Sequence, residues 1–129
     1  MKKFKRFLAA VLLTGCLFST TVSALPYIFT FVDFGGVNTC WTINARMHDQ
    51  SPTVTPTTNT FYTQFYLTPG YGSMDTKTQY KSIAPGINTT QYLLWNIGYT
   101  PSGNYYLLGM PDFNYGSWSA YTSSGTWTD

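Results

Sequence analysis

The chain has 129 residues, of which only 9% are charged and 19% are aromatic. Four of its seven basic residues lie within the first six positions, so the part that follows residue 24 has three basic and five acidic side chains and a formal charge of −2. That balance leaves no basic patch to neutralise phosphates, and nucleic acid is therefore excluded as an expected partner. About 105 residues suffice for one domain with one core, and their many aromatic side chains argue against disorder.

The first 24 residues have the layout of a signal peptide. A basic start precedes an apolar run over residues 7–13 that continues to Phe18, and the small residues Val22-Ser23-Ala24 form a cleavage site before Leu25. No later stretch approaches the roughly 20 apolar residues that a membrane span needs. We therefore predict a signal helix over residues 1–24, secretion, and no transmembrane segment in the mature chain.

The same leader also fits a second processing route. Leu13-Thr14-Gly15-Cys16 matches the short box that precedes a lipid-modified cysteine in bacterial lipoproteins. Lipidation of Cys16 would anchor the protein at the outer face of the cell membrane. Both routes take the product out of the cytoplasm.

The first part of the mature chain predicts two strands and a loop. Residues 27–33 form an apolar, β-rich run that stops at Gly35-Gly36. Over residues 40–47 the polarity alternates with a period of two, which predicts a strand with Trp41 and Ile43 on its dry face and Cys40 and Thr42 on its wet face. Prolines and repeated threonines predict a loop over residues 48–59.

The remaining chain predicts further short strands between Gly and Pro turns. Residues 61–67 alternate as a strand that ends at Pro69-Gly70, residues 76–83 form a polar edge strand, and residues 92–97 and 104–109 form a hairpin around a turn at 101–103. A last strand covers residues 117–127, with Gly125 at a bulge.

This pattern predicts an all-β fold. Six to seven short strands and no 3.6-residue period favour a small antiparallel β-sandwich over residues 25–129, as a single domain, with a small barrel as second choice. Its inner faces are expected to hold Trp41, Phe65 and Trp95.

Several short motifs carry a resemblance. Thr57-Thr58-Asn59-Thr60, Asn114-Tyr115, Tyr121 and Ser124-Gly125-Thr126-Trp127, together with the leader, resemble a family of small secreted Gram-positive proteins known only as a domain of unknown function. The likeness covers the chain from Thr57 onward, and it implies an exported β-domain with no established activity. The expected architecture is also similar to that of lactococcin-like bacteriocins, which are small secreted β-sandwiches, although no motif is shared.

The residues do not assemble into a predicted active site, so we expect no catalytic residue, no cofactor and no metal. The aspartates fall at strand ends or turns, where Asp caps backbone amides. One His and one mature Cys fall short of a zinc site. Cys40 and His48 are about 26 Å apart along an extended strand, too far for a catalytic pair oriented by Asp49.

Two other features suggest interactions. Cys40, on the expected wet face, is a candidate for an intermolecular disulfide in an oxidising compartment. Aromatic rings on faces opposite the core can stack on sugar rings or anchor protein contacts. The predicted binding surface consists of Tyr62, Tyr66, Tyr92 and Tyr106.

These features favour a small exported, non-enzymatic binding or surface-interaction protein. Its ligand would be a cell-wall glycan or an extracellular partner protein. The alternative is a bacteriocin-like secreted antibacterial protein.

Overall fold

The computed structural model describes residues 24–32, 38–43, 46–47 and 51–128, which form two antiparallel β-sheets. One sheet has the strand order β1-β9-β4-β7, and the other has the order β2-β8-β5-β6, with β3 also paired to β8. The nine strands of these described ranges are β1 Leu25–Phe31, β2 Cys40–Trp41, β3 Arg46–Met47, β4 Thr53–Asn59, β5 Thr63–Thr68, β6 Ser82–Ile83, β7 Gln91–Tyr92, β8 Asn104–Pro111 and β9 Tyr121–Thr128. Residues 1–23 of the predicted signal peptide lie outside the described residues.

The two sheets pack face to face around an aromatic core. Burial alternates along β1, so Tyr27, Phe29 and Phe31 point inward while their neighbours point out. The ring centroids of Tyr27 and Phe29 lie 5.6 and 6.4 Å from that of Phe65, on β5 of the opposite sheet. The predicted all-β sandwich is thereby confirmed, with nine strands in the described ranges where six to seven were expected.

A chain of hydroxyl and amide groups crosses the interior between the sheets. Thr63 Oγ1 on β5 lies 2.8 Å from the hydroxyl of Tyr121 on β9 and 2.8 Å from Asn59 Oδ1 on β4. Asn59 Nδ2 then donates to the carbonyl oxygen of Ile83 at 3.2 Å. Because Asn59, Thr63 and Tyr121 all have hydrogen-bond partners, this network links the sheets without the cost of an unpaired group among its members.

Within the predicted strand over residues 40–47, the described residues include β2 and β3, and the expected faces of residues 40–43 are reversed. Cys40 pairs with Gly109, which lies beside the core residue Phe65, whereas Trp41 pairs with Leu108 on the opposite face. Thr42 is therefore buried and Ile43 is 85% exposed. Alternation predicts that the two faces of a strand differ, but it does not show which face is the interior one when aromatic and apolar side chains also lie on the outer face. The expectation that Trp41 lies on the inner face is wrong.

The predicted loop over residues 48–59 contains an interior strand. β4 pairs with β9 along its length, and β7 pairs only with Thr53 and Val54 on the other side. β7 therefore does not extend alongside Pro56. The backbone N–H that proline lacks would have had no strand partner on that side. The register shifts between Pro56 and Thr58, opposite Gly125, which confirms the irregularity predicted there. A side chain at Gly125 would overlap the backbone of Thr55.

The middle of the chain departs furthest from prediction. The predicted strand over residues 76–83 forms only in part. Ser82–Ile83 is a strand, and Thr78 forms an isolated β-bridge with Trp95. The predicted hairpin is wrong, because β7 belongs to the four-stranded sheet and β8 to the other. The chain leaves the first sheet before the turn at residues 101–103, since Leu94 and Asn96 already share backbone hydrogen bonds with Gln79 and Lys77, beside β5.

Candidate functional site

The outer surface of the five-stranded sheet is rich in aromatic side chains. Because Thr63, Phe65 and Leu67 are fully buried, the alternate residues Gln64 and Tyr66 of β5 project from the other side of the sheet. We call this surface the aromatic face. Its members are Trp41, Tyr62, Gln64, Tyr66, Tyr71, Tyr80, Tyr106, Asp112 and Tyr115.

Three rings, the Tyr71 cluster, occupy one end of the aromatic face. Tyr71 lies in the loop that follows β5, and its ring centroid is 6.2 Å from that of Trp41 and 6.1 Å from that of Tyr106. Trp41 Nε1 donates to the carbonyl oxygen of Ser73 at 2.9 Å, which fastens this loop to β2. Tyr71 is 66% exposed, so the cluster presents an aromatic ring to solvent on a braced support.

The other end holds two parallel rings, the Tyr62 pair. Tyr62 precedes β5, and Tyr115 ends the 3₁₀ turn Phe113–Tyr115. Their ring centroids are 3.7 Å apart and their planes differ by 2°. The Asp112 backbone N–H donates to the carbonyl oxygen of Tyr62 at 2.9 Å, so the backbone positions both rings. Tyr115 is 51% exposed.

Between the two ring groups lies the polar centre, formed by Gln64, Tyr66, Tyr80 and Asp112. Asp112 is buried, and one carboxylate oxygen accepts from the Tyr80 hydroxyl while the other accepts from Gln64 Nε2 at 3.1 Å. The Tyr66 hydroxyl donates to Gln64 Oε1 at 3.0 Å. Asp112 Oδ1 also accepts from the backbone N–H of Asn114, which caps the 3₁₀ turn.

The electrostatics of the polar centre fix its protonation states. Burial acts to raise the pKa of Asp112, but its hydrogen bonds, led by the one from Tyr80, outweigh burial and lower the pKa below the ordinary value. Burial, together with the charge of Asp112, raises the pKa of Tyr66. The centre therefore combines one ionised carboxylate with neutral hydroxyl and amide groups at physiological pH.

This arrangement suits a ligand that has both flat apolar surfaces and hydroxyl groups. The exposed rings at each end supply contact area at small entropic cost, because a Tyr side chain has two rotatable angles. The Asp112 carboxylate is already occupied by internal donors, so it does not require a cationic partner. The exposed Tyr80 hydroxyl, at 51% exposure of its residue, remains within reach of a bound hydroxyl group.

The structure brings together three of the four tyrosines of the predicted binding surface. Tyr62, Tyr66 and Tyr106 lie on the aromatic face, whereas Tyr92 lies on β7 of the other sheet, where it is 61% exposed. Sequence reasoning missed the contributions of Trp41, Tyr71, Tyr80, Tyr115 and Asp112. Their contacts join segments far apart in the chain, and no local pattern marks them.

Of the two candidate cysteines, Cys40 lies among the described residues and Cys16 does not. Cys40 is half-buried and its thiol donates to the carbonyl oxygen of Thr30 at 3.4 Å. Burial raises its pKa, which lowers the fraction of reactive thiolate. Cys40 lies on the inward side of β2, so the prediction that it lies on the solvent-facing side is wrong. Cys16, His48 and Asp49 lie outside the described residues.

A concave groove lies between the edge strands β1 and β2. This groove has a volume of about 290 Å³ and is lined by Leu25, Tyr27, Phe29, Thr42 and Trp127 among others. The hydroxyls of its two hydroxyl-bearing side chains are already used, Tyr27 with Ser123 and Thr42 with the N–H of Leu107. Trp127 Nε1 in the lining of the groove is buried without a hydrogen-bond partner, but the aromatic face offers more exposed rings and polar groups for recognition.

Within the described ranges, no three His, Cys, Asp or Glu side chains are grouped in a way that could hold a metal ion. Nor does any helix among those residues have the length and apolar character needed to cross a membrane. Comparisons with known protein families, with curated proteins and with solved structures gave no significant match.

Proposed function

We propose that this protein is a small exported, non-enzymatic binding protein whose aromatic face holds a neutral glycan of a cell wall. The observation that supports this most directly is the alternation of exposed rings and hydrogen-bonding groups on one braced sheet. The Tyr71 cluster and the Tyr62 pair supply ring faces, and the polar centre supplies groups that match sugar hydroxyls.

A glycan fits this surface better than an apolar protein partner does. A partner that covered the face with apolar side chains would desolvate Gln64, Tyr66 and Tyr80 without replacing their bonds to water, which costs free energy. A sugar can stack its C–H groups on the rings and still offer a hydroxyl to each of these side chains. The Asp112 carboxylate is buried and bonded to internal donors, so it does not recruit a charged ligand, which favours a neutral one.

The proposal is tested by sedimenting purified protein with insoluble bacterial cell wall. Wild-type protein and the Tyr92→Ala control should be retained equally, because Tyr92 lies on the opposite sheet. The double variant Tyr71→Ala/Tyr115→Ala should lose retention, since both side chains are exposed and their loss removes little buried area. Digestion of the glycan strands by a muramidase should release the wild-type protein.

Other results would point elsewhere. Retention that survives glycan digestion but is abolished by protease treatment of the wall would identify a protein partner and contradict the proposal. Inhibition of bacterial growth by wild-type protein and by the double variant alike, with no wall binding, would favour the secreted antibacterial alternative.

A further inference from the structure

The two exposed ring groups lie at opposite ends of one strand. Tyr62 immediately precedes β5, and Thr68, the last residue of β5, pairs with Tyr106 of the Tyr71 cluster. Six residues of extended chain span about 20 Å, at roughly 3.3 Å per residue. This distance is several times the width of one sugar ring, so a single sugar cannot contact both groups.

We infer that the aromatic face binds an extended chain of several sugars, with the Tyr71 cluster and the Tyr62 pair as two separate stacking subsites. This inference rests on the proposed function and specifies its substrate class. Both ring groups lie on the side of the sheet from which Gln64 and Tyr66 project, so a chain that follows β5 can reach each group in turn.

The polar centre lies along the path between the two subsites and determines which sugars fit there. The Tyr80 hydroxyl is held by Asp112, and the Tyr66 hydroxyl is held by Gln64, so both are oriented before a ligand arrives. A hydroxyl-bearing sugar can form additional hydrogen bonds at this point, whereas an apolar linker would remove water from these hydroxyls without supplying a new bond. Preorganised groups of this kind reduce the entropic cost of binding.

The test compares a disaccharide and an octasaccharide of β-1,4-linked N-acetylglucosamine, which are neutral glycans with the same linkage as the cell-wall strands. Isothermal titration should show the octasaccharide binding at least about tenfold more tightly, because its second contact is made within one complex. Tyr71→Ala and Tyr115→Ala should each weaken octasaccharide binding by about tenfold. The disaccharide should respond to only one of the two variants.

Matched controls separate binding from folding. Tyr92→Ala removes an equally exposed ring from the other sheet and should leave both affinities unchanged, and circular dichroism with thermal unfolding checks that each variant is folded. Equal affinities for the two fragments, or an octasaccharide affected by only one variant, would overturn the inference and leave the proposed function standing. Failure of the wild-type protein to bind either fragment or the intact wall would overturn both.

Discussion

At the scale of single residues, Gly109 shows how closely the two sheets approach. It lies on β8 directly beneath Phe29, and a Cβ atom at this position would come within 2.5 Å of the ring. We expect Gly109→Ala to lower the free energy of unfolding by about 1–3 kcal/mol, because overpacking forces the ring or backbone to move. Urea denaturation measures the change.

A second glycine provides the control for this substitution. A Cβ atom at Gly70 would lie 3.7 Å from its nearest neighbour, Ser73 Cβ, which is ordinary van der Waals contact. Gly70→Ala should therefore leave the free energy of unfolding almost unchanged. Equal effects at both positions would mean that contact with Phe29 is not what requires a glycine at position 109.

Asp112 illustrates what single residues reveal before the fold is known. Turn chemistry predicted that aspartates at strand ends cap local amides, and Asp112 does accept from the N–H of Asn114. Its other two donors, Gln64 and Tyr80, lie 48 and 32 residues away in the chain. Local propensity therefore predicted the cap, but the polar centre depends on tertiary pairing that the sequence alone does not display.

At the scale of elements, the orientation of β2 has a measurable consequence. The Thr42 hydroxyl accepts from the backbone N–H of Leu107 at 3.0 Å, and both groups are buried. Thr42→Val preserves shape but leaves that N–H without a partner, so we expect a loss of about 1–3 kcal/mol in the free energy of unfolding. Thr42→Ser keeps the hydroxyl acceptor, so its free energy of unfolding should fall by less than that of Thr42→Val. Chemical denaturation of the three proteins gives the comparison.

This pair of variants also tests the reversed faces of residues 40–43. If Thr42 faced solvent, as simple alternation predicts, the valine would be nearly neutral and even mildly favourable for a strand. A neutral Thr42→Val would therefore contradict the inward orientation of Cys40 and Thr42.

The sequence predicted the elements that have a local signal. β5 was anticipated from its alternating polarity, and β1, β8 and β9 were anticipated near their true positions from β-favouring segments beside Gly and Pro turns. β4 was missed because Pro56 argues against a strand, and nothing local showed that β7 leaves that side of β4 unpaired. The aromatic face was anticipated only in part, since loop residues such as Tyr71 and Tyr115 have no period.

At the scale of the whole molecule, hydrogen bonds of tyrosine hydroxyls connect strands within and between the two sheets. Tyr27 on β1 lies 3.3 Å from Ser123 Oγ on β9, and Tyr121 reaches across to Thr63 in the other sheet. With so few charged groups, the protein relies on such neutral hydrogen bonds where other proteins use ion pairs. Its stability should accordingly respond more to alkaline pH than to salt, which screens only charges.

Burial raises the pKa of Tyr27 and of Tyr121 from 10.0 to about 12, although hydrogen bonds to Ser123 and Thr63 partly offset it. The unfolded chain releases these protons near pH 10, whereas the folded chain holds them, so their contribution to stability is complete below pH 10 and is lost as pH rises toward 12. We expect the free energy of unfolding to fall across this window, by at most about 1.4 kcal/mol per pH unit for each tyrosine. Tyr121→Phe should make the fall shallower, and Tyr92→Phe, which removes an exposed hydroxyl, should not. Denaturant titrations at a series of pH values measure the slopes, and an unchanged slope in Tyr121→Phe would show that its buried hydroxyl is not responsible.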